Sequence, residues 1–215
     1  NLTFRTTGYE PDGMLARWRE YGIEHEELDA DALGHRFPSL DTGRYFPPKP
    51  IDDPAFADDP DGRLTAVLCP GCGFVDDPML AARTLAWAAT RHGAAFRFGA
   101  EVVAVDRDDV VRGVTLADGT SIEAPVVVNV GGPHSAQLNR LAGVTDDMTI
   151  GHRPLRQEVF VVPAPEGTGL DQGGAFVADV DLGQYFRPQP GGSMMIGSTE
   201  PECDELVWVD DPDQN

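Results

Sequence analysis

The stretch VVVNVGGPHS, residues 126–135, decides the fold that the sequence predicts. Its valine-rich run, Val126–Val130, is typical of a strand that is covered on both faces of a sheet. Gly131 and Gly132 follow directly, and Ser135 can cap the short helix expected after them. Two residues without side chains let the backbone approach a ligand closely, although an ordinary α/β turn has the same pattern. Spacing alone leaves these two interpretations equal.

A second strand, turn and helix pattern lies at residues 65–83, TAVLCPGCGFVDDPMLAAR. A dinucleotide-binding loop needs a small residue and free N–H donors where its helix begins, so that the pyrophosphate can approach. Asp76 and Asp77 stand at this place instead, and Pro78 has no N–H to donate. The loop is therefore a poor phosphate site. Asp77 and Pro78 instead predict the cap and the first residue of a helix over residues 78–92.

The same loop holds Cys69 and Cys72 in C-x-x-C spacing, which can mark an exchangeable dithiol. A helix N-terminus favours a thiolate, but the two adjacent carboxylates oppose this effect and the loop has no basic side chain. Zinc would need a second pair of ligands, and Cys203 is the only other cysteine in the sequence. A structural turn is the main interpretation, and a thiol redox protein is the weakest alternative.

Alternating hydrophobicity and turn signals predict most of the remaining elements. Asp118-Gly119, between two alternating runs, is a strong hairpin signal. The segment from Phe46 to Gly62 is rich in Pro and Asp and predicts a long surface connection. Further helices are expected over residues 10–21, 27–34 and 136–141. Strands are expected over residues 95–98, 101–106, 110–116, 120–124, 155–162, 174–180, 184–187 and 193–197.

The composition excludes several classes of partner. Acidic residues outnumber Lys and Arg by 36 to 16, which gives a formal net charge of -20. Such a field repels phosphate backbones and anionic lipid, so nucleic-acid binding is not expected. No apolar run approaches the roughly 20 residues that a membrane span needs, so no membrane insertion is expected. Three cysteines are too few for a disulfide framework, which favours a cytoplasmic location.

Seven short motifs follow one another along nearly the whole chain, and together they are more specific than any one alone. They are Arg5-Thr6-Thr7-Gly8-Tyr9, Phe37-Pro38-Ser39-Leu40, Gly73-Phe74-Val75-Asp76-Asp77-Pro78, Glu101-Val102-Val103-Ala104-Val105, Val127-Val128-Asn129-Val130-Gly131-Gly132-Pro133-His134-Ser135, Pro154-Leu155-Arg156-Gln157 and Tyr185-Phe186-Arg187-Pro188. In order and spacing this series resembles the D-amino-acid oxidase superfamily of FAD-dependent oxidoreductases. It is most similar to sarcosine oxidase β-subunits and dimethylglycine dehydrogenases.

The resemblance implies cofactor contacts at four residues. Glu101 and Val102 are similar to the strand whose backbone meets the adenine of FAD. Gly131 and Gly132 are similar to the loop beside the cofactor, and their lack of side chains suits that role. His134 stands where the family often has an aromatic residue, and we expect it to be a surface histidine.

Two further residues are implied to face the substrate. Tyr185 is similar to the tyrosine of the family's Tyr-x-x-Pro strand, where a phenol can hydrogen-bond a carboxylate while its ring walls an apolar cavity. Arg187 alternates onto the same face of a regular strand and could hold an anion there. Alternatively, Tyr185 is only a half-buried aromatic residue of the strand, and Arg187 is only an exposed charge on the sheet. No catalytic residue and no metal site is assigned.

The predicted fold class is α+β with α/β elements: a substrate domain with a mixed, mainly antiparallel sheet and helices, plus an incomplete FAD-binding domain. The expected divisions are 1–68 and 146–205 for the substrate domain, 69–145 for the partial FAD-domain segment, and 206–215 for an acidic tail. The resemblance places a Gly-x-Gly-x-x-Gly loop before residue 1 and a flavin-contacting segment after residue 205. Neither is in this sequence.

The expected function follows from this resemblance. The parent protein is predicted to be an FAD-dependent oxidoreductase that oxidises a C–N bond of a small or N-methylated amino acid, sarcosine being the model. Other subunits of a hetero-oligomeric oxidase are possible partners. Because a pyrophosphate cradle is missing, we expect the piece alone to retain little FAD and to be inactive. A stand-alone acidic binding or interaction module without cofactor is the principal alternative.

Overall fold

The computed structural model describes residues 1–6 and 11–213. Thr7–Tyr9 of the first motif, Glu10 at the start of the first predicted helix, and the last two residues lie outside this described part. A mixed sheet is combined with few helices among the described residues, which confirms the predicted α+β class.

The α-helices of the described part all lie before Ala142, whereas strands occur along its whole length. The helices are α1 Asp12–Glu20, α2 Ala30–Arg36, α3 Pro78–Arg91 and α4 Ser135–Leu141. The strands are β1 Leu2–Arg5, β2 Glu26–Leu28, β3 Thr65–Leu68, β4 Val102–Arg107, β5 Val111–Leu116, β6 Ser121–Glu123, β7 Val159–Pro163, β8 Val177–Asp179, β9 Gln184–Gln189 and β10 Ser193–Ser198.

The described residues form two compact units. Unit 1 comprises Asn1–Asp76 and Gln157–Leu206. Unit 2 comprises Asp77–Arg156 and the described residues from Val207 onward. The chain thus enters unit 2 after Asp76 and leaves it after Arg156, whereas the sequence predicts these changes after residues 68 and 145.

Unit 1 is built on a seven-stranded sheet with the order β2-β3-β1-β8-β9-β10-β7. Strands β1 and β8 are parallel, and the other neighbours pair antiparallel. Leu2 of β1 is in register with Leu68 on one side and Val177 on the other. Because side chains alternate across a strand, these three point to one face.

That face carries the hydrophobic core of unit 1. Leu2, Leu33 and Val177 are fully buried, and Phe186 of β9 packs against the same cluster. Leu33 comes from α2, so this helix covers the core side of the sheet. Apolar burial of this kind is the main favourable term in folding, and it fixes the register of the central strands.

The segment around α2 corrects one prediction. The sequence predicts a helix over residues 27–34, but Glu26–Leu28 form an edge strand and the helix runs over Ala30–Arg36. The Asp29 side chain accepts a hydrogen bond of 2.8 Å from Ala32 N and caps α2. Asp29 is therefore a better start signal than the acidic residues before it.

Unit 2 begins with α3, whose start confirms the sequence prediction. The Asp77 side chain accepts a hydrogen bond of 2.8 Å from Leu80 N, and Pro78 is the first helical residue. The helix ends at Arg91, one residue earlier than expected, and Gly93 follows with φ +92°.

A three-stranded antiparallel meander, β4-β5-β6, follows α3. The predicted Asp118-Gly119 turn is confirmed: Gly119 has φ +82°, and Thr120 N donates to the Asp118 side chain at 2.9 Å. Gly113 of β5 also requires glycine, because its φ is +155° and a Cβ would collide with the backbone of β6.

The central prediction of a buried strand over Val126–Val130 is wrong for this chain. The segment has no regular secondary structure and pairs with no strand of the described residues, and Val128 and Val130 are 74% and 86% exposed. A strand needs partners for its backbone groups, and none is available on either side among the described residues. The predicted strand over residues 95–98 is also absent from the described structure, and its two phenylalanines are exposed.

Smaller differences concern the ends of other elements. Residues 155–162 form a strand only from Val159 onward, while Leu155 makes an isolated bridge with Trp208. Ser135 is the first residue of α4 and not its cap, because a 3-10 turn, Gly132–His134, leads into the helix. The expected strands 174–180, 184–187 and 193–197 correspond to β8, β9 and β10.

Candidate functional site

In unit 1 the structure brings Tyr185 and Arg187 onto one face of β9. Phe186 between them points into the core, so its two neighbours point to the opposite face. Tyr185 is in register with Gly197 of β10, and Arg187 with Met195. Two residues along a strand are roughly 7 Å apart, so one small molecule can touch both side chains.

The surroundings of Arg187 distinguish it from an ordinary surface arginine. Its guanidinium carbon lies 4.2 Å from the centroid of the Phe74 ring, in a cation–π contact. Its Nη1 is buried and has no hydrogen-bond partner among the described residues. A buried donor without an acceptor is costly, so this nitrogen is a candidate contact for an oxyanion.

The Tyr185 ring is held on two sides. A Cβ at Gly197 would collide with the phenol, so glycine at this position lets the ring lie across β10. Phe176 meets the ring edge to face, with centroids 6.5 Å apart and planes at 84°. The ring is thus positioned by packing, and its hydroxyl can serve as donor or acceptor.

A pair of acids at the β8–β9 turn anchors this part of the sheet. Asp181 is fully buried; its carboxylate accepts hydrogen bonds from the Thr6 hydroxyl and, at 2.7 Å, from Tyr45 N. The Asp179 carboxylate accepts bonds from Asp181 N and Leu182 N. Burial raises the pKa of Asp179 above its usual value, against the opposite effect of those two bonds. These acids fix where β9 begins.

In unit 2 the Gly131-Gly132 turn is braced by Asn129. The Asn129 side chain accepts from Gly131 N at 3.0 Å and donates to Ser135 O at 2.9 Å and to Asn139 Oδ1 at 2.8 Å. A Cβ on Gly131 would press on the Leu138 side chain. Gly132 has φ +55°, and nothing described lies within 4 Å of where its Cβ would be. The turn is therefore packed against the helix at Gly131 and has open space beside Gly132.

Glu101 and Val102 lie at the start of β4 in the same unit. Glu101 is exposed, its carbonyl accepts from Ala117 N at 2.9 Å, and Val102 opposes Leu116. No hydrogen bond in the described part of unit 2 connects either residue with the glycine turn. The cofactor role of this pair stays a prediction.

A cleft of about 490 Å³ lies beside the glycine turn, within unit 2. His134 lines it, with its Nε2 3.5 Å from Asp213 Oδ1, and Arg153 lies 3.5 Å from Asp210. His134 is thus a partly exposed residue near an acid. Charges of both signs line this cleft, so it favours no single class of ligand.

The cysteines of the opening loop are joined. Cys69 and Cys72 form a disulfide with Cα atoms 5.6 Å apart, while Cys203 is free. Across the described ranges, no group of three or more His, Cys, Asp or Glu side chains is arranged to hold a metal ion. No described helix combines the length and the apolar character that crossing a bilayer requires.

Sequence reasoning missed three positioning residues: Phe74, Asn129 and Gly197. The Pro190-Gly191-Gly192 turn could have placed Gly197 opposite Tyr185, because a hairpin turn sets the register of its two strands. The polar Asn129 at the end of an apolar run was visible in the sequence. Nothing local indicated that Phe74 meets Arg187.

Several solved structures share this fold over nearly the whole chain. L-proline dehydrogenase from P. horikoshii is 17% identical with a TM-score of 0.66, over 95% of this chain and 50% of that one. Glycine oxidase from Geobacillus kaustophilus is 23% identical with a TM-score of 0.62, over 98% and 48%. Glycine oxidase from Bacillus cereus ATCC 14579 is 20% identical with a TM-score of 0.60, over 99% and 51%. The chain therefore has about half of a fold that such oxidoreductases contain.

The family follows from the sequence match. The DAO family, described as FAD dependent oxidoreductase, matches residues 5–215. The chain belongs to this family, which is FAD-dependent, and the resemblance seen in the sequence is confirmed at that level. No curated protein is similar enough in sequence to count as a relative. The chain spans about half the length of the solved structures it matches.

Proposed function

We propose that the protein to which this chain belongs oxidises a C–N bond of a small or N-methylated amino acid, and that Arg187 and Tyr185 bind the substrate. Family membership supports the general chemistry. The observation that carries the substrate site is the buried, unpartnered Nη1 of Arg187 beside Tyr185 on one sheet face of the described structure.

Arg187 is assigned to the substrate carboxylate. A guanidinium presents paired donors that match a carboxylate, and such charge-assisted bonds are stronger than neutral ones. Stacking on Phe74 fixes the plane of the guanidinium before the ligand arrives, which reduces the entropy lost on binding. The excess of acids over bases makes a cationic pocket for an anionic group unusual on this molecule.

Tyr185 is assigned to orientation of the same substrate. Its ring, held by Gly197 and Phe176, forms an apolar wall, and its hydroxyl can donate a second hydrogen bond to the carboxylate. Two contacts fix both the position and the direction of a small molecule. The part of the molecule that is not held is then free to face the oxidant.

FAD, when bound, supplies the acceptor for the hydride that leaves the carbon next to nitrogen. We assign Gly131 and Gly132 to its close backbone contact and Glu101 and Val102 to the adenine end. The open side of Gly132 supports this assignment. Because these four residues offer few fixed donors, we expect the chain alone to bind little FAD, and a yellow stoichiometric complex would contradict this.

The carboxylate site is tested by titrating the chain with sarcosine while following the backbone amide of Gly197 by NMR. Saturable shifts are expected with sarcosine but not with dimethylamine, which has no carboxylate. Arg187→Gln is expected to weaken sarcosine binding roughly tenfold or more, because a hydrogen bond to a charged group is lost.

Arg83→Gln is the matched control, since Arg83 is exposed on α3 and the change removes the same charge, and it is expected to leave the titration unchanged. Equal shifts with sarcosine and dimethylamine would refute a carboxylate site. An unchanged affinity in the Arg187 variant would refute the role of this residue.

A further inference from the structure

The loop Cys69–Asp76, which we call the cysteine loop, runs from the end of β3 to the residue before Asp77, the cap of α3. Cys69 is buried at the end of β3 and extends the sheet ladder, with its N–H donating to Asn1 O at 2.8 Å. Cys72 is exposed and is bonded through its sulfur to Cys69. The disulfide thus attaches an exposed loop to a buried strand end.

Little else in the described structure holds this loop in place. Every residue from Pro70 to Asp76 is exposed, and nothing described lies within 4 Å of where a Cβ of Gly71 or Gly73 would be. One backbone hydrogen bond of 3.3 Å, from Cys72 N to Cys69 O, supports the turn. A short loop with two unpacked glycines has high conformational entropy once its cross-link is opened.

The loop nevertheless places one functional contact. Phe74, two residues after Cys72, lies 4.2 Å from the Arg187 guanidinium carbon. This contact joins the loop to the face that carries Tyr185. An interaction that fixes the position of the cysteine loop therefore also fixes the position of Phe74, the stacking partner of Arg187.

We propose that the Cys69–Cys72 disulfide is a redox modification site that controls the position of Phe74 over Arg187. In the oxidised chain the loop is closed and the guanidinium is stacked. In the reduced chain the loop opens, Phe74 leaves Arg187, and the guanidinium loses its fixed orientation.

The chemical step is thiol–disulfide exchange with a small thiol. The thiolate attacks the exposed Cys72 sulfur, the bond to Cys69 breaks, and the Cys69 sulfur takes a proton. A second thiol attacks the mixed disulfide, which leaves Cys72 as a thiol and the reductant oxidised to its own disulfide. Because the molecule carries a net charge of -20, a reductant whose only charge is that of its thiolate approaches more readily than one that carries additional negative groups.

The consequence for ligand binding rests on the proposed carboxylate site. A cation–π contact contributes about 0.5–2 kcal/mol, so loss of the stacked geometry is expected to weaken sarcosine binding roughly twofold to thirtyfold. The disulfide would then tune substrate affinity without taking part in the oxidation.

The first experiment asks whether the disulfide exists and can be reversed. In a Cys203→Ser chain, alkylation in urea, which exposes the buried Cys69, is expected to add no alkyl group before treatment with dithiothreitol and two after it. Two alkyl groups before reduction would overturn the proposal.

The second experiment follows the Arg187 Nε–Hε resonance in the same chain without ligand, assigned by its loss in Arg187→Lys. The oxidised form is expected to show a ring-current shift from Phe74. Dithiothreitol, Cys72→Ser and Phe74→Leu should each remove that shift, while a Val177 methyl resonance reports that the core is intact. An identical Arg187 resonance in both redox states would overturn the proposal.

Sarcosine titrations of the oxidised and reduced chain separate this inference from the proposed function. A redox-dependent Arg187 resonance without carboxylate binding in either state would refute the substrate site and support the loop coupling. Carboxylate binding with a redox-independent resonance would support the site and overturn the coupling.

Discussion

Two buried polar groups of unit 1, the Asp181 carboxylate and Nη1 of Arg187, differ in whether the described residues supply their hydrogen-bond partners. Both carboxylate oxygens of Asp181 have donors, from Thr6 and Tyr45, so this acid is satisfied within the fold. The Nη1 of Arg187 has no such partner in the described part of the chain. Native structures pair nearly all buried polar atoms, so an unpaired buried donor supports the proposed substrate contact of Arg187. Asn1 Oδ1 is the other buried side-chain atom of the described residues without a hydrogen-bond partner.

Asp179 gives a prediction about pH. Burial raises the pKa of the Asp179 carboxyl in the folded chain above the ordinary value of 3.8 that applies to the unfolded chain. Between these two pKa values the carboxyl is mostly ionised in the unfolded chain but mostly protonated in the folded chain. The contribution of Asp179 to the free energy of unfolding therefore falls as pH rises from below 3.8 through the raised folded pKa. Asp179→Asn removes this titration but keeps an oxygen for Asp181 N and Leu182 N.

We expect the variant to gain stability relative to the natural chain across that pH window, measured by urea unfolding. Asp58→Asn, which removes one acid from the exposed connection, is the control for the change in net charge. An Asp179→Asn advantage that stays constant with pH, or matches that of Asp58→Asn, would contradict the burial argument.

At the level of elements, the position of helix α3 in the chain is determined by the residues at its ends. Its interior is rich in Ala, its start has Asp77 and Pro78, and no residue of it is buried within the described structure. Local propensity and capping therefore account for the helix better than packing does. The same holds for the Asp118-Gly119 hairpin, whose turn residues close it locally.

The cap of α3 is tested by Asp77→Ala. Loss of the hydrogen bond to Leu80 N is expected to destabilise the first turn by about 0.5–2 kcal/mol, seen as faster amide exchange at Leu80. Asp77→Asn is the control, because Asn caps helices as well as Asp does. Equal losses in both variants would show that charge, and not the capping bond, matters at this position.

The two units of the molecule differ in how far their large apolar side chains are buried. Unit 1 buries Leu2, Leu33 and Val177 in a continuous core. Unit 2 leaves Trp87 62% exposed, together with most of the valine segment 126–130. Large exposed apolar surfaces mark places where another surface packs. This agrees with a chain that spans about half the length of the solved structures it matches.

The difference between the units predicts a large effect on stability for one of two similar substitutions and almost none for the other. Leu2→Ala, at a fully buried position, is expected to cost about 2–5 kcal/mol of unfolding free energy. Val130→Ala, at a position 86% exposed, is expected to change it by less than about 0.5 kcal/mol. Urea unfolding measures both. A large loss in the Val130 variant would show that the valine segment is packed in this chain.

Sequence patterns alone were sufficient to predict the family, the α+β class, the cap of α3, the Asp-Gly hairpin and the shared face of Tyr185 and Arg187. These depend on motif order, on hydrogen bonds between near neighbours, or on the two-residue repeat of a strand, all of which are local properties of the chain.

The three-dimensional structure was needed to show that Val126–Val130 stays unpaired among the described residues, because an apolar run favours burial but does not specify the strand that would supply it. It also decided that Phe74 stacks on Arg187 and that Gly197 makes room for Tyr185. Such contacts join residues far apart in the chain, so their formation depends on the register of the whole sheet and on the path of the loop that carries the partner.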